Sequence, residues 1–374
     1  MTNVPGVFTA EQQELRSMAR KFLEETSSSS QVRSLIETAE GFDEGVWKQM
    51  AELGWQGIAI PEEYGGSGYT FTELGVLLEE MGRALLPAPF FSSVVLGANA
   101  ILNVATDAQK KDILPGIADG SARPTLAFVE DAGRWDQAGI GLEASESKGG
   151  YQLTGHKNYV IDGQTATHLI VTARLDGKVA FFLVDPAADG VTKTSLETLD
   201  PTRKQARIAF EGTPATLLGD AGAEDALTKT LDQAAVGLAA ESVGGAQWCL
   251  DTATEHAKTR VQFGRPIGSF QAVKHRCAEM LIEIEMAKSA AYYAAWAAAE
   301  DEQELPVAGS LAKAYCSEAF FHAAGTNIQV LGGIGFTWEH DAHLYFRRAK
   351  SSEIYLGDAD YHRELIADRT GVTA

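Results

Sequence analysis

The sequence predicts an α+β chain of three consecutive parts: a helical N-terminal domain over 1–120, a middle antiparallel β domain over 121–224, and a helical bundle over 225–374. Three observations predict it. Apolar residues recur every three or four positions at both ends of the chain. From about Ser121 the middle turns to short β-branched or aromatic runs separated by Gly, Asp and Pro turns. The last third is rich in alanine, as at Ala290–Ala299, which lets long helices approach closely.

Thr9 with Gln12 has the spacing of a capping box and opens a helix over 10–26. Ser27–Ser30 reads as a linker, and a short helix over 46–53 ends at Gly54. The glycine-rich turn around Tyr64-Gly65-Gly66-Ser67-Gly68 has neither the Lys-Ser/Thr of a P-loop nor a preceding strand, so it reads as a turn before a helix over 72–84. Pro87 and Pro89 start a further helical stretch, and 108–117 is another. Strands are expected over 125–129, 151–154, 158–161, 168–173, 179–184, 191–194 and 206–210, in a sandwich or barrel. Helices return over 231–259, 270–300, 306–331, around 341–349, and over 352–370.

Composition narrows the function. A hydrophobic fraction of 45% with 22% charged residues is that of a soluble globular protein. A formal net charge of −20, with no basic run, argues against nucleic acid. No apolar run reaches membrane-spanning length, and no signal-peptide pattern opens the chain. Cys249, Cys277 and Cys316 fall in helices at wide spacing and read as buried, reduced thiols. A cytoplasmic location is expected.

The stretch from Arg260 to Met280 stands out. Gly264, Pro266 and Gly268 break one long helix and start the next, and Arg260, Gln262, Arg265 and Gln271 surround Phe263 and Phe270. Charge-assisted donors beside flat apolar faces suit a phosphate or carboxylate carried on a ring system; solvated arginines on a plain helix–loop–helix account for the residues equally well.

Arg260-x-Gln-Phe-Gly-x-Pro-Ile267 and Gln329-Val-Leu-Gly-Gly-Ile-Gly-Phe336, with Trp47-x-x-Met-Ala-x-Leu-Gly54 and Pro61-Glu-Glu-Tyr-Gly-Gly66, resemble the acyl-CoA dehydrogenase family over essentially the whole chain. The resemblance implies an FAD-dependent α,β-desaturation of an acyl-CoA, with FAD shared across a subunit interface. It places Arg260, Gln262, Phe263, Ile267, Phe270, Gln329, Gly332 and Gly333 against the flavin of a neighbouring subunit. It also implies an acceptor protein that reoxidises the flavin.

The chain departs from the family at two places. The family's glutamate base, which takes the acyl α-proton while hydride leaves the β-carbon for the flavin, is commonly found in a Tyr-Glu-Gly-Thr segment. Here that segment is Tyr355-Leu356-Gly357-Asp358, and the minority position on the first bundle helix is Ala234; neither side chain takes a proton. The β-domain motifs differ too. Phe128-Val129-Glu130-Asp131-Ala132-Gly133-Arg134-Trp135-Asp136 lacks the family's threonine and serine hydroxyls. Lys157-Asn158-Tyr159-Val160-Ile161-Asp162-Gly163 replaces the flavin-facing tryptophan with Tyr159, which can still stack on a flavin, and the threonine with Ile161, which offers no side-chain hydrogen bond. The half-site offered to a neighbour is kept and the chain's own half is eroded. The expectation is the base-less subunit of an α2β2 heterotetramer whose second, dehydrogenase-like subunit supplies the base, with bulky steroid side-chain thioesters within reach of such a site. The alternatives are a homotetramer and a non-catalytic assembly or acyl-CoA-binding subunit.

Glu241 is the substitute base that the homotetramer would need. It lies seven residues after Ala234, two helical turns or roughly 10 Å along the same face, and reads otherwise as the partner of an arginine or a cap on a neighbouring element. Glu353 and Asp358 flank the vacant position. Glu339-His340-Asp341-x-His343 has no metal-site spacing, and no metal is expected. Arg203, Lys204 and Arg207 read as a solvated turn or a contact for a CoA phosphate.

Overall fold

The computed structural model describes residues 8–147 and 149–372. The front of the chain forms α1 (Ala10–Thr26), α2 (Ser29–Ile36), α3 (Glu44–Glu52), α4 (Phe71–Arg83), α5 (Asn99–Val104) and α6 (Asp107–Ala118). The capping box at α1 is reciprocal: Thr9 N–H donates to Gln12 Oε1 at 2.9 Å, and Gln12 N–H donates to Thr9 Oγ1 at 3.2 Å. The serine run is only half a linker, because Ser29 already starts α2; Ser28 N–H donates to Gln31 Oε1 at 2.8 Å, a local cap that makes a helix start of it. Before α5 the buried stretch Phe91–Ala98 is π-helical. The glycine-rich turn spends its N–H groups on its own carbonyls, Ser67 to Gly57 at 2.9 Å and Gly68 to Ile60 at 3.0 Å. A Cβ at Gly66 would lie 2.0 Å from Ile60 O, so this glycine serves close backbone packing.

The sheet comprises β1 (Pro124–Ala127), β2 (Glu143–Ser147), β3 (Gly150–Ile161), β4 (His168–Leu175), β5 (Lys178–Val184), β6 (Val191–Leu196) and β7 (Gln205–Leu218). Pairings run from β4 through β2, β3, β7 and β5 back to β4, a closed circuit that holds Leu153, Val171, Phe182, Ile208 and Phe210 in its core. Three details differ from the sequence expectation. The segments 151–154 and 158–161 are one strand, β3, which stays paired with β7 through two register shifts, one between Leu153 and Thr154, where β7 carries the extra Gly212, and one between Lys157 and Val160. The sheet is not wholly antiparallel: β1 pairs parallel to β4, Pro124 opposite His168, because β2 and β3 intervene in sequence and supply the long return a parallel pair needs. The polar β2, Glu-Ala-Ser-Glu-Ser, has no apolar signal and was not expected.

The C-terminal part comprises α7 (Glu224–Thr259), β8 (Val261–Gln262), β9 (Arg265–Pro266), α8 (Gln271–Glu300), α9 (Leu305–Leu331), α10 (Ala342–Ile354) and α11 (Ala359–Arg369). The helix expected over 352–370 is two pieces. α10 runs to Ile354, and the chain reverses through Leu356 at φ +65° and Gly357 at φ +97°. α4 and α7 cross at backbone distance: a Cβ at Gly82 would lie 2.0 Å from Glu241 O, and one at Gly244 1.8 Å from Glu79 O. Cys249 and Cys316 are buried, whereas Cys277 is only half-buried because it sits in the exposed first turns of α8.

Backbone contacts group the chain into two compact units that interleave in sequence. One takes residues up to Ser34, Phe71–Leu86 and the chain from Ala235 onward; the other takes Leu35–Thr70 and Pro87–Ala234, with the whole sheet. No helix among the described residues is long and apolar enough to cross a membrane.

Candidate functional site

The break after α7 is a two-residue hairpin. Arg260 N–H still donates to His256 O at 2.8 Å, and Arg260 O accepts from Ile267 N–H at 2.8 Å. Gln262 pairs with Arg265 across a turn made by Phe263 at φ +53° and Gly264 at φ +77°. Both signs are those of a type I′ turn, the tight turn whose twist suits a hairpin. Glycine takes that conformation freely, while phenylalanine is strained there. Phe263 is 91% exposed. Phe270 lies edge-on to it at 6.0 Å between centroids, and the Arg265 guanidinium covers Phe270 at 4.2 Å. Arg260 and Gln262 are exposed beside them, and Ile267 is half-buried.

Gln329, Gly332 and Gly333 come to the same end of the bundle. The link between α8 and α9 is short, so the two run antiparallel. Cys316 Sγ donates to Ala287 O at 3.2 Å, and His322 Nδ1 lies 2.5 Å from Glu283 Oε2. Carried on by a few residues, that register sets Gln329 and Gly333 level with the first turns of α8, where the hairpin begins. Gln329 is exposed, and a Cβ added at Gly332 or Gly333 would meet nothing within 4 Å. These glycines leave backbone open to a group from outside the chain. A diphosphate with an attached ring system fits this set of exposed donors, aromatic faces and bare backbone.

The position expected for a base is built and filled by leucine. Leu356 is 3% exposed, and its carbonyl accepts from His362 Nε2 at 3.0 Å. Lys313, fully buried, donates to Gly357 O at 2.8 Å and Glu353 O at 3.1 Å. Burial pushes the Lys313 ammonium down to about 8. Burial, with Lys313 nearby, lowers the His362 imidazole to about 3. The turn around Leu356 is therefore fixed by groups that do not depend on its side chain. The flanking acids are engaged elsewhere: Glu353 pairs with Lys350 at 2.7 Å, and Asp358 caps α11 through Tyr361 N–H at 2.9 Å. Ala234 is fully buried.

Glu241 is 6% exposed and bound by the Arg348 guanidinium, itself 2% exposed. Its helix face is apolar, so a charged partner from α10 offsets its desolvation. The sequence placed Glu241 and suggested an arginine in general terms, but nothing in it singles out Arg348. Lys313 and His362 were missed too. A lysine among alanines in α9 is the signal that could have found the first, because a buried ammonium needs acceptors.

The β-domain motifs turn inward. Phe128 and Val129 are each 3% exposed and Ile161 is fully buried, while Tyr159 is 47% exposed at φ +55°. Lys157 is fully buried and donates to Glu130 Oε1 at 2.6 Å and Phe128 O at 3.2 Å. Burial lowers the Lys157 ammonium to about 8 against the pull of Glu130. Burial raises the Glu130 carboxyl, but Lys157 and the N–H groups of Leu142 and Gly141 leave it below its usual range. Trp135 packs on Phe128 at 5.7 Å. This face does not fit a flavin.

The remaining candidates disperse. Arg203 is 7% exposed over Phe91 at 4.9 Å, Lys204 donates to Ile36 O at 2.6 Å, and Arg207 lies 3.6 Å from Asp131. They do not form the phosphate contact weighed from sequence, because two of the three cations are consumed inside the unit. His340 Nδ1 accepts from Ala342 N–H at 3.1 Å, and His343 stands edge-on to Trp338 at 4.7 Å.

Family models match most of the chain: the acyl-CoA dehydrogenase N-terminal domain over residues 9–121 and the acyl-CoA dehydrogenase C-terminal domain over residues 220–371. The chain is 37% identical over 359 residues to the acyl-CoA dehydrogenase FadE34 of Mycobacterium tuberculosis (strain ATCC 25618 / H37Rv), a match covering 93% of this chain and 46% of that protein. It thus spans about half the length of that relative. Among solved structures, a variant of the Tcur3481-Tcur3483 steroid ACAD superposes with a TM-score of 0.87 at 32% identity, covering 97% of this chain and 98% of the other. The ChsE4-ChsE5 complex from Mycobacterium tuberculosis gives 0.90 at 28% identity, covering 98% of this chain and 99% of the other.

Proposed function

The chain belongs to the acyl-CoA dehydrogenase family, flavoprotein oxidoreductases acting on the CH–CH bond of acyl-CoA thioesters, and from that premise we propose that it is the base-less subunit of an α2β2 heterotetramer. The carrying observation is the contrast between its two flavin-related surfaces: Arg260, Gln262, Phe263, Gln329, Gly332 and Gly333 face outward, while the β-domain motif buries Phe128, Val129, Lys157 and Ile161 and leaves Tyr159 exposed. In the proposed complex FAD supplies the hydride acceptor. Arg260 holds its diphosphate, Phe263 and Phe270 cover its rings, and Gly332 and Gly333 admit its approach. The second subunit brings the glutamate that takes the α-proton, and a separate acceptor protein reoxidises the flavin.

Leu356 and Ala234 support the assignment of the base to the partner, because neither takes a proton. The Arg348 guanidinium on Glu241 supports a structural role for that carboxylate. Two structural neighbours bear paired names, Tcur3481-Tcur3483 and ChsE4-ChsE5, and the former is described as a steroid ACAD. FadE34, of which this chain spans about half, has room for a second unit of similar size in one polypeptide. A bulky acyl-CoA such as a steroid side-chain thioester is the substrate class we propose.

The test is flavin absorbance and assembly mass for the chain alone and for the chain co-expressed with an acyl-CoA dehydrogenase-like protein encoded beside it. A colourless chain alone and a yellow mixed tetramer with one flavin per pair are expected. A yellow homotetramer with one flavin per chain overturns the proposal and makes Glu241 the candidate base. In that case Glu241→Gln keeps the flavin and loses turnover by orders of magnitude; in the heteromer the same change leaves turnover per assembled tetramer unchanged.

A further inference from the structure

We infer that the loop from Glu130 to Leu142 is a built-in plug, which keeps flavin off this chain's own β-domain face by seating Trp135 on Phe128. The inference rests on the heteromer and says why only one flavin would be held per pair.

The loop is tied down at both ends and along its length. At its root the Glu130 carboxylate accepts from Lys157 Nζ at 2.6 Å, from Leu142 N–H at 2.9 Å and from Gly141 N–H at 3.1 Å, so one side chain clasps the start of the loop to its end. Asp131 accepts from Asn158 Nδ2 at 2.7 Å and lies 2.9 Å from His156 Nε2. At the tip Arg134 donates twice to Asp136, at 2.6 and 3.0 Å, and Asp136 accepts from Gly139 N–H at 3.1 Å. On the return, Arg174 of β4 donates to Gln137 O at 2.6 Å and Ile140 O at 3.1 Å. A loop that satisfies its own polar groups to this extent holds one conformation without a ligand.

What it holds in place is an indole. Trp135 stands at the motif position where the family has a serine, and it is half-buried against the Phe128 ring at 5.7 Å. Such a ring pair contributes about 0.5–1.5 kcal/mol beyond its buried area. A cofactor entering this face would have to displace the indole and break the pair. Val129 and Ile161 cannot repay that loss, since neither carries a donor or acceptor on its side chain. The clasp is also expensive to open: Lys157 is fully buried, and separation from Glu130 would leave its charge unmatched.

Trp135→Ser, Trp135→Phe and the wild-type chain, each purified alone, are to be titrated with FAD by flavin fluorescence. The plug predicts that Trp135→Ser binds FAD at least tenfold more tightly than wild type and that Trp135→Phe, which keeps a ring on Phe128, does not. Equal affinity of Trp135→Ser and wild type overturns the plug, and so does an equal gain in Trp135→Phe. Limited trypsin digestion gives a second measure on folded protein. Arg134 is exposed, but the clasp should keep the bond after it resistant, and Glu130→Gln should speed that cut at least tenfold. Equal cleavage of wild type and Glu130→Gln also overturns it. Failure of the plug and failure of the heteromer are distinguishable in the wild-type proteins: a mixed tetramer with two flavins per pair sinks only the plug, whereas a yellow homotetramer sinks the heteromer.

Discussion

The hairpin at Arg260–Phe270 and the β-domain stretch at Phe128–Gly163 are both read as flavin-facing by motif; each holds an exposed aromatic at positive φ, Phe263 and Tyr159, but they differ in how their charges and their other rings are partnered. The hairpin exposes a phenylalanine in a strained conformation, and its Arg260 is exposed. The β stretch buries Lys157 completely, matches it with Glu130, and covers Phe128 with Trp135. A surface whose charges and rings are already partnered has little left to offer a ligand. The comparison teaches that motif position names a candidate and that exposure decides whether it is available.

The largest effect that would sharpen the contrast is on folding of the β side. Lys157→Met leaves Glu130 without its buried cation and should cost about 3 kcal/mol of stability, read as a lower urea midpoint. An unchanged midpoint would mean that the Lys157–Glu130 clasp is not structural. On the hairpin side, Arg260→Ala should leave the midpoint where it is and weaken FAD in the reconstituted tetramer by about 2–5 kcal/mol. Unchanged flavin occupancy would break the comparison at its centre.

Acid should act on neither region first but on the turn at Leu356. Folding holds His362 near 3 against 6.5 for the free imidazole. The stability this confers is fully present above pH 6.5. It falls by a few kcal/mol as pH drops toward 3, because the unfolded chain takes up the proton first. In His362→Gln the urea midpoint should decline less steeply over that window; parallel declines would assign the acid sensitivity elsewhere. The smallest effect is the most specific. Phe263→Gly should raise stability by about 1 kcal/mol by relieving the left-handed strain, while weakening flavin binding in the tetramer. A loss of stability in that variant would show that the ring is held by contacts within the chain.

Much of the candidate site was legible because its residues are near one another in the chain. Gly264 and Pro266 announce a break, and the hairpin that forms there needs only its own residues. That Leu356 cannot serve as a base was legible for a simpler reason, since no context turns a leucine into a proton acceptor. Glu241 was legible only as an open alternative. Its partner Arg348 lies 107 residues away on another helix, and only packing of α7 against α10 brings the two together.

The sequence by itself determined the order of helices, β domain and bundle through its periodicities, and it determined the absence of a base at Leu356 and Ala234 through side-chain chemistry. The tertiary structure decided that β1 runs parallel to β4, that the final helix breaks at Leu356 and Gly357, and that Lys313 and His362 hold that break. It also decided that Lys157 and Glu130 close the β face while Phe263 stays outside. The physical reason is range. Periodicity and proton-accepting capacity are properties of a residue and its near neighbours in the chain, whereas burial, ion pairing and parallel strand pairing join residues tens to hundreds of positions apart.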